Sequence, residues 1–439
     1  MRKTFFLSFL TLLLSLGTFA QKVSFEEYNL SNGLHVILHQ DNIAPVVTTS
    51  VMYHVGSKNE VVGRTGFAHF FEHLLFEGTK NIKRGDWFKI VSSNGGTNNA
   101  NTTQDRTYYY EVFPSNNLKL GLWMESERMM HPIINQIGVD TQNEVVKEEK
   151  RLRVDNAPYG QWNAQIFKNL FKKHPYHWVT IGAMADLDAA TLKEFRAFNK
   201  KYYLPNNAVL VVSGDFKIAP AKKLIKEYFE PIPAGPKVIQ PSIKEEPITK
   251  EIKTTFYDPN IQIPAIFTAY RTPAMTTRDA RVLDMISDIL SGGKSSRLYK
   301  KLVNDKKKAL QVVAFNYSLE DYGAYIILAL PLGKTSLDDL VKEINDEVVK
   351  LQTNLISERE LQKLRNKFEN NFVNSNASVE GIARSLAKYY LLYGDTNLIN
   401  TEINIYNSIT REEIRAVAKK YLNPNQRLVL YYLPKKDKE

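Results

Sequence analysis

Apolar and polar residues alternate with period two in several short runs of this chain and recur with helical period in longer ones. YNLSNGLHVILHQDN (28–42) alternates around Asn32-Gly33 and predicts a hairpin, because Asn-Gly supplies the positive-φ turn that suits strand twist. VVTTSVMYHVGS (46–57) predicts a further strand, and GFAHFFEHLLFEGTK (66–80) a helix. Gly95-Gly96 breaks the next helix, after which 97–103 and 107–113 read as strands. NNLKLGLWMESERMM (116–130), NEVVKEEKRLRVDN (143–156) and TLKEFRAFNKKYY (191–203) read as amphipathic helices. Pro205 closes the last of them before the strand AVLVVSGDF (208–216).

Residues 231–250 hold five prolines and no helical period, which predicts an interdomain linker. Beyond it the order recurs: IPAIFTAYRTP as strand, DARVLDMISDILSGG and KSSRLYKKLV as helices, and GAYIILALPL as strand. The helices LDDLVKEINDEVVKLQT and VEGIARSLAKYYLLYG and the strand QRLVLYYL complete the series. The chain thus reads as two similar α+β domains, 21–230 and 251–439, from an internal duplication.

Composition narrows the class. Hydrophobic content of 43% describes a globular protein. Arg2 and Lys3, an apolar stretch from Phe5 to Phe19, and Thr18-Phe19-Ala20 before Gln21 predict an export signal over residues 1–20, either cleaved or kept as an anchor. No later run is long enough to cross a bilayer. There are no cysteines, so the chain has no disulfides and any metal must be held by His, Asp or Glu. An exported, cysteine-free chain of this length points to a bacterial periplasm. The formal charge is +11, carried by scattered lysines, and export argues against nucleic acid as the partner.

The chemistry concentrates in 66–80. His69, Glu72 and His73 stand at i, i+3 and i+4 and share one helical face. Grouping three ionisable side chains is costly without a partner, and a divalent metal removes much of that cost. Two neutral imidazoles suit zinc. A peptidase further requires a carboxylate to take a proton from the attacking water and return it to the leaving amine, and Glu72 is placed for that. A third ligand must come from elsewhere. His35, His39, His54, His131, His174 and His177 lack metal spacing and read as structural or solvated. Glu144, Glu148 and Glu149 lie together on a predicted helix, where a solvated charged face is the competing reading. The second half has no histidine, since the last is His177.

H-x-x-E-H is the inverzincin signature. Taken with GGTNNANTTQDRTYYY (95–110), EVVKEEKR (144–151), YYLPNNAVLVVSGDF (202–216) and LSGGKSSRLYKKL (290–302) in that order, it makes the chain resemble the pitrilysin/insulinase zinc metallopeptidases. The closest likeness is to the short bacterial branch similar to mitochondrial processing peptidase. The resemblance implies a fold forming half of a clamshell and one Zn²⁺ per chain. It implies His69, His73 and Glu149 as ligands, Glu72 as base, and peptides or unfolded segments as substrates. Asn99 and Ala100 match the strand edge that pairs with the substrate backbone. Glu77 is a candidate for a supporting hydrogen bond to a ligand histidine, and Gln142 stands where the family often has a supporting glutamate. Active members present an arginine and, seven residues on, a tyrosine from the second domain. Here Val303 and Leu310 align with that pair, while Arg297 and Tyr299 lie nearby on different sides of a helix. The resemblance therefore implies a partner, either a homologous subunit carrying the Arg/Tyr pair in a heterodimer or a second copy in a homodimer.

Overall fold

The structure, a computed structural model, describes residues 22–435. The segment read as an export signal lies outside the described residues. Strands β1 (Glu26–Asn29), β2 (His35–Gln40), β3 (Val46–Tyr53), β4 (Thr97–Thr102), β5 (Thr107–Pro114) and β6 (Ala208–Gly214) form one sheet in the order β1-β2-β6-β3-β5-β4. Strands β7 (Ile252–Asp258), β8 (Ala265–Pro273), β9 (Ala309–Ser318), β10 (Tyr322–Pro331) and β11 (Arg427–Pro434) form a second, in the order β7-β11-β8-β10-β9. Each sheet has one parallel contact, β2–β6 or β7–β11, and is otherwise antiparallel. The order β2-β6-β3-β5-β4 maps onto β7-β11-β8-β10-β9 strand for strand, both along the chain and across the sheet. Two α+β domains of like topology are present, as the recurrence of elements predicts. β7 and β9, which carry less regular apolar patterns than their neighbours, emerge only in the structure.

The inner strands follow from composition. β6 (AVLVVSG) is buried at every position, as a continuous apolar run between two neighbours should be. β4 (TNNANT) pairs with β5 alone and is the polar edge of its sheet. A polar edge strand resists unwanted strand pairing while leaving its backbone reachable.

The two halves are not self-contained, which reading the chain half by half does not reveal. Helix Trp162–Leu170 of the first half packs Ile166, Phe167 and Leu170 against Phe267, Leu428 and Leu430 of the second sheet. Helix Val379–Lys388 of the second half packs Ile382, Ala383 and Leu386 against Ile37, Met52 and Val209 of the first. Each sheet thus has one face covered by its own helices and the other by a helix from the opposite half. Polar contacts add to this. Lys58, 1% exposed, sits among Asp105, Glu320 and Asp321, and His54 and His174 pair with Glu320 and Asp321 respectively.

The proline-rich stretch has neither helix nor strand from 233 to 249. It is docked rather than loose: Gln240 donates to the His54 carbonyl and accepts from Asn59, and one Glu245 oxygen accepts the N–H groups of Lys172, Lys173 and His174. Among the described residues no helix is long and apolar enough to cross a membrane.

Candidate metal centre and active site

The H-x-x-E-H segment is a short helix, Phe67–Leu74. At its start the buried Glu60 accepts the N–H groups of Gly66 and Ala68, both at 2.9 Å. Gly66 has φ +91°, and a Cβ there would meet the Ile181 carbonyl at 2.9 Å, so the entry to the helix demands glycine. One face carries Phe67, Phe70, Phe71 and Leu74 into the core, with Phe67 and Phe70 stacked on Phe195. Tyr109 of β5 donates to the Phe71 carbonyl at 2.9 Å. Arg128 donates to the Leu75 carbonyl at 3.1 Å and pairs with Glu111 and Glu125, all three fully buried. A helix of barely two turns has little stability of its own, and these contacts hold it.

The opposite face presents the histidines. Glu149, near the end of helix Gln136–Lys150, directs Oε2 to within 3.5 Å of His69 Nε2 and 3.3 Å of His73 Nε2. Ligand atoms of these three residues lie within 4.8 Å of one another, and theirs is the only such convergence of three among the described residues. Glu148, one residue earlier, is 56% exposed and pairs with Arg151, while Glu144 pairs with Lys147. Neighbouring helical residues diverge by about 100°, so only one of the pair Glu148/Glu149 can face the cluster.

Burial, and then the adjacent His73, lowers the His69 imidazole to about 4, which keeps it neutral near pH 7. A hydrogen bond with His73 holds the Glu149 carboxyl below its usual range. Two imidazole nitrogens and one carboxylate are a donor set that fits a tetrahedral zinc site with one open position. Burial raises the carboxyl of Glu72, the opposite direction to Glu149. Thr102 of β4 donates to Glu72 Oε2 at 2.7 Å, and among the described residues Oε1 has no hydrogen-bond partner.

Asn99 and Ala100 lie on β4 beside this cluster. Together with Glu72, His73, Phe76, Phe88 and Glu149 they line a cleft of about 360 Å³. Glu77 and Gln142 do meet, but Glu77 bonds to Gln142 and Arg84 and not to a histidine; its carboxylate braces the helix that carries Glu149. The remaining histidines each have a local partner: Asn29 and Glu27 for His35, the Ser24 carbonyl for His39, Glu127 for His131 and the Phe171 carbonyl for His177.

In the second half, Val303 sits in the wide helical turn Tyr299–Asp305 against the core, and Leu310 is an exposed residue of β9. Arg297 makes a two-point pair with Glu360, both contacts at 3.0 Å, and Tyr299 packs on the same core as Val303. Neither reaches the histidine cluster.

Sequence reasoning assigned no role to Thr102, Asp105 and Tyr109. All three lie in the stretch 95–110: Thr102 orients Glu72 and Tyr109 holds the histidine helix, while Asp105 anchors Lys58 in the polar cluster between the halves.

Comparison with known proteins agrees with this architecture. Residues 35–181 match the model described as "Insulinase (Peptidase family M16)" and residues 189–368 that of the "Peptidase M16 inactive domain". A zinc protease of Helicobacter pylori named PqqE is 31% identical over 96% of this chain and 97% of its own length. An uncharacterized zinc protease of Bacillus subtilis, YmxG, is 22% identical over 92% of this chain and 97% of its own. The crystal structure of a protease from Helicobacter pylori superposes with a TM-score of 0.89 at 31% identity, over 94% of this chain and all of the other. The "inactive" description falls mainly on the half that has no histidine, and the other match contains the whole H-x-x-E-H helix. On these grounds the chain belongs to the insulinase family of peptidases, family M16.

Proposed function

We propose that this chain is an exported zinc metalloendopeptidase that hydrolyses peptides or unfolded protein segments and supplies the metal-bearing subunit of a heterodimer. The observation that carries the reading is the convergence of His69, His73 and Glu149, with Glu72 beside them and a polar strand edge alongside. Those three residues are assigned as ligands. Bound there, a zinc ion supplies Lewis acidity and favours deprotonation of water near neutral pH. Glu72 Oε1 accepts the proton of the attacking water while Thr102 holds Oε2 in place. As the C–N bond breaks, the same oxygen returns that proton to the amine, so the carboxylate ends as it began. Asn99 and Ala100 lie on a strand with no second neighbour among the described residues, where an extended peptide could take over the Ala100 N–H that the Asn99 side chain now accepts.

Export rests on residues 1–20 and the absence of cysteine; the periplasm is the compartment that fits both. The heterodimer rests on Val303 and Leu310, which cannot donate a side-chain hydrogen bond where an arginine and a tyrosine would stabilise the developing oxyanion. The test uses the purified chain loaded with zinc, a mixed peptide library, and matched samples with chelator. Full zinc occupancy, negligible turnover alone and turnover restored by a family partner carrying the Arg/Tyr pair support the proposal. Brisk, chelator-sensitive cleavage by the isolated chain removes the heterodimer and leaves the peptidase; absence of cleavage with any partner removes the enzyme.

A further inference from the structure

We propose that Arg153 and the apolar cleft beside it form a substrate subsite that takes an acidic side chain next to a large apolar one; this rests on the peptidase reading of the metal cleft. Arg153 lies in the wide helical turn Arg151–Asp155 that follows Glu149. Its side chain is 76% exposed, and Nη1 stands 2.6 Å from Glu149 Oε1. The other cations of this segment have carboxylates with no part in the cluster: Lys147 has Glu144 and Asp188, Lys150 has Asp155, and Arg151 has Glu148. Arg153 alone among them is paired with a residue that a metal would claim. Glu149 turns Oε2 to the histidines and Oε1 to Arg153, so a divalent cation on Oε2 draws off the carboxylate's charge while Nη1 keeps its contact; the rest of the exposed guanidinium then has no other carboxylate of the described chain within ion-pairing distance. Two carboxylates, Glu72 and Glu149, then balance the cation, and Arg153 is left as the net positive charge of the cleft. An arginine in that position binds a carboxylate by two parallel hydrogen bonds.

The surroundings define the neighbour of that carboxylate. Arg153 lines the metal cleft on one side and, on the other, a second cleft of about 440 Å³. Trp162, Phe267, Phe315, Leu328 and Leu330 form the apolar wall of the second cleft. Both halves build it, because Trp162 belongs to the helix that crosses onto the second sheet and stacks on Phe267. A peptide leaving the β4 edge past Glu149 meets first the guanidinium and then this wall. The space and lining suit a phenylalanine or tryptophan side chain.

The experiment reads binding without turnover. Zinc-loaded Glu72→Gln protein is titrated by fluorescence anisotropy with labelled peptides that differ only in a central Glu-Phe, Gln-Phe, Lys-Phe or Glu-Gly pair. The same series is run with Arg153→Gln, Arg153→Glu and Leu330→Gln added. Glu-Phe is expected to bind about tenfold more tightly than Gln-Phe, equal to about 1.4 kcal/mol, and more tightly still than Lys-Phe. Because Glu72→Gln leaves the same residual metal charge in every protein, Arg153→Gln should cut the Glu/Gln difference by more than twofold, Arg153→Glu should cut it further, and Leu330→Gln should reduce only the Phe/Gly difference. A Glu/Gln ratio that stays within twofold across the Arg153 variants overturns the proposal, as does a Phe/Gly ratio untouched by Leu330→Gln. Zinc titration of each protein runs in parallel. Failure of the wild-type chain to take up zinc sinks the peptidase reading, an outcome distinct from loss of charge selectivity in a zinc-loaded protein.

Discussion

Glu72 and Glu149 are carboxylates around one metal cleft that burial and hydrogen bonding push in opposite directions, Glu72 up and Glu149 down. That divergence is what the proposed mechanism asks of a proton carrier and a charged ligand. Glu72→Gln should keep about one zinc per chain and lose activity by roughly 10²-fold or more; metal analysis beside peptide kinetics checks it, and zinc lost with activity retained contradicts it. Glu149→Gln should weaken zinc binding sharply while Glu148→Gln leaves it near wild type, because Glu148 points at Arg151 and solvent. The reverse order in a zinc titration would move the ligand by one residue. Thr102→Val removes the hydrogen bond that fixes Glu72 Oε2 and should cut kcat by about tenfold, the equivalent of one lost hydrogen bond to a charged group. Zinc content and peptide KM should hold. The histidines and Glu72 were legible in the sequence because their spacing is helical and local. Thr102 was not, since nothing in a strand's sequence says which helix lies across it.

The element that matters most is the short helix Phe67–Leu74, and its stability is borrowed. Glu60 at its start, the Tyr109 hydroxyl at Phe71 and Arg128 beyond its end fix it within the core. Glu60→Ala strips two buried N–H groups of their acceptor and should cost about 1–3 kcal/mol for each. Because the loss falls on the ligand-bearing helix, zinc affinity should drop with it; calorimetric unfolding with and without zinc reads both, and an unchanged affinity argues against the coupling. A second element joint lies in the other half. There Thr410 and Glu413 form a capping box, and Glu413 also takes a two-point pair from Arg278. Arg278 first, then the helix N-terminus, lowers Glu413 to about 2. A carboxyl depressed on folding stabilises above its unfolded pKa of about 4.3 and loses that contribution as pH falls towards its folded pKa. The destabilisation in Glu413→Gln should therefore be present at pH 7 and shrink between about pH 4 and pH 2. Because Glu413 is 35% exposed, water screening limits it to about 1 kcal/mol at most. A penalty independent of pH would assign it to packing.

At the scale of the whole molecule, exchange of helices between the halves and the cluster around Lys58 make the two sheets one structure. Lys58→Met leaves Asp105, Glu320 and Asp321 facing one another without their lysine, which should destabilise the protein by about 3–5 kcal/mol at neutral pH. Burial works against ionisation of Glu320 and Asp321, but His54, His174 and Lys58 prevail and hold both below the usual carboxylate range. Their contribution is present above about pH 4 and lost on further acidification. Asp105, fully buried and displaced upward by desolvation, offsets part of it. The Lys58→Met penalty should accordingly narrow in acid, as thermal unfolding from pH 7 to pH 3 will show, and a penalty constant over that range would refute the electrostatic account. The local pattern of the sequence by itself determined the helix carrying His69, Glu72 and His73, the Asn-Gly hairpin, the buried run of β6 and the recurrence of elements in two halves. Period, turn chemistry and burial act over a few residues, so they leave their mark in the linear chain. Only the tertiary structure decided that Glu149 turns to the histidines, that Thr102 bonds to Glu72, that Arg297 is spent on Glu360, and that each half lends a helix to the other. Those outcomes depend on which surfaces meet after folding, between residues up to several hundred positions apart, and contact at that range is set by the packing of whole sheets and helices rather than by any local preference.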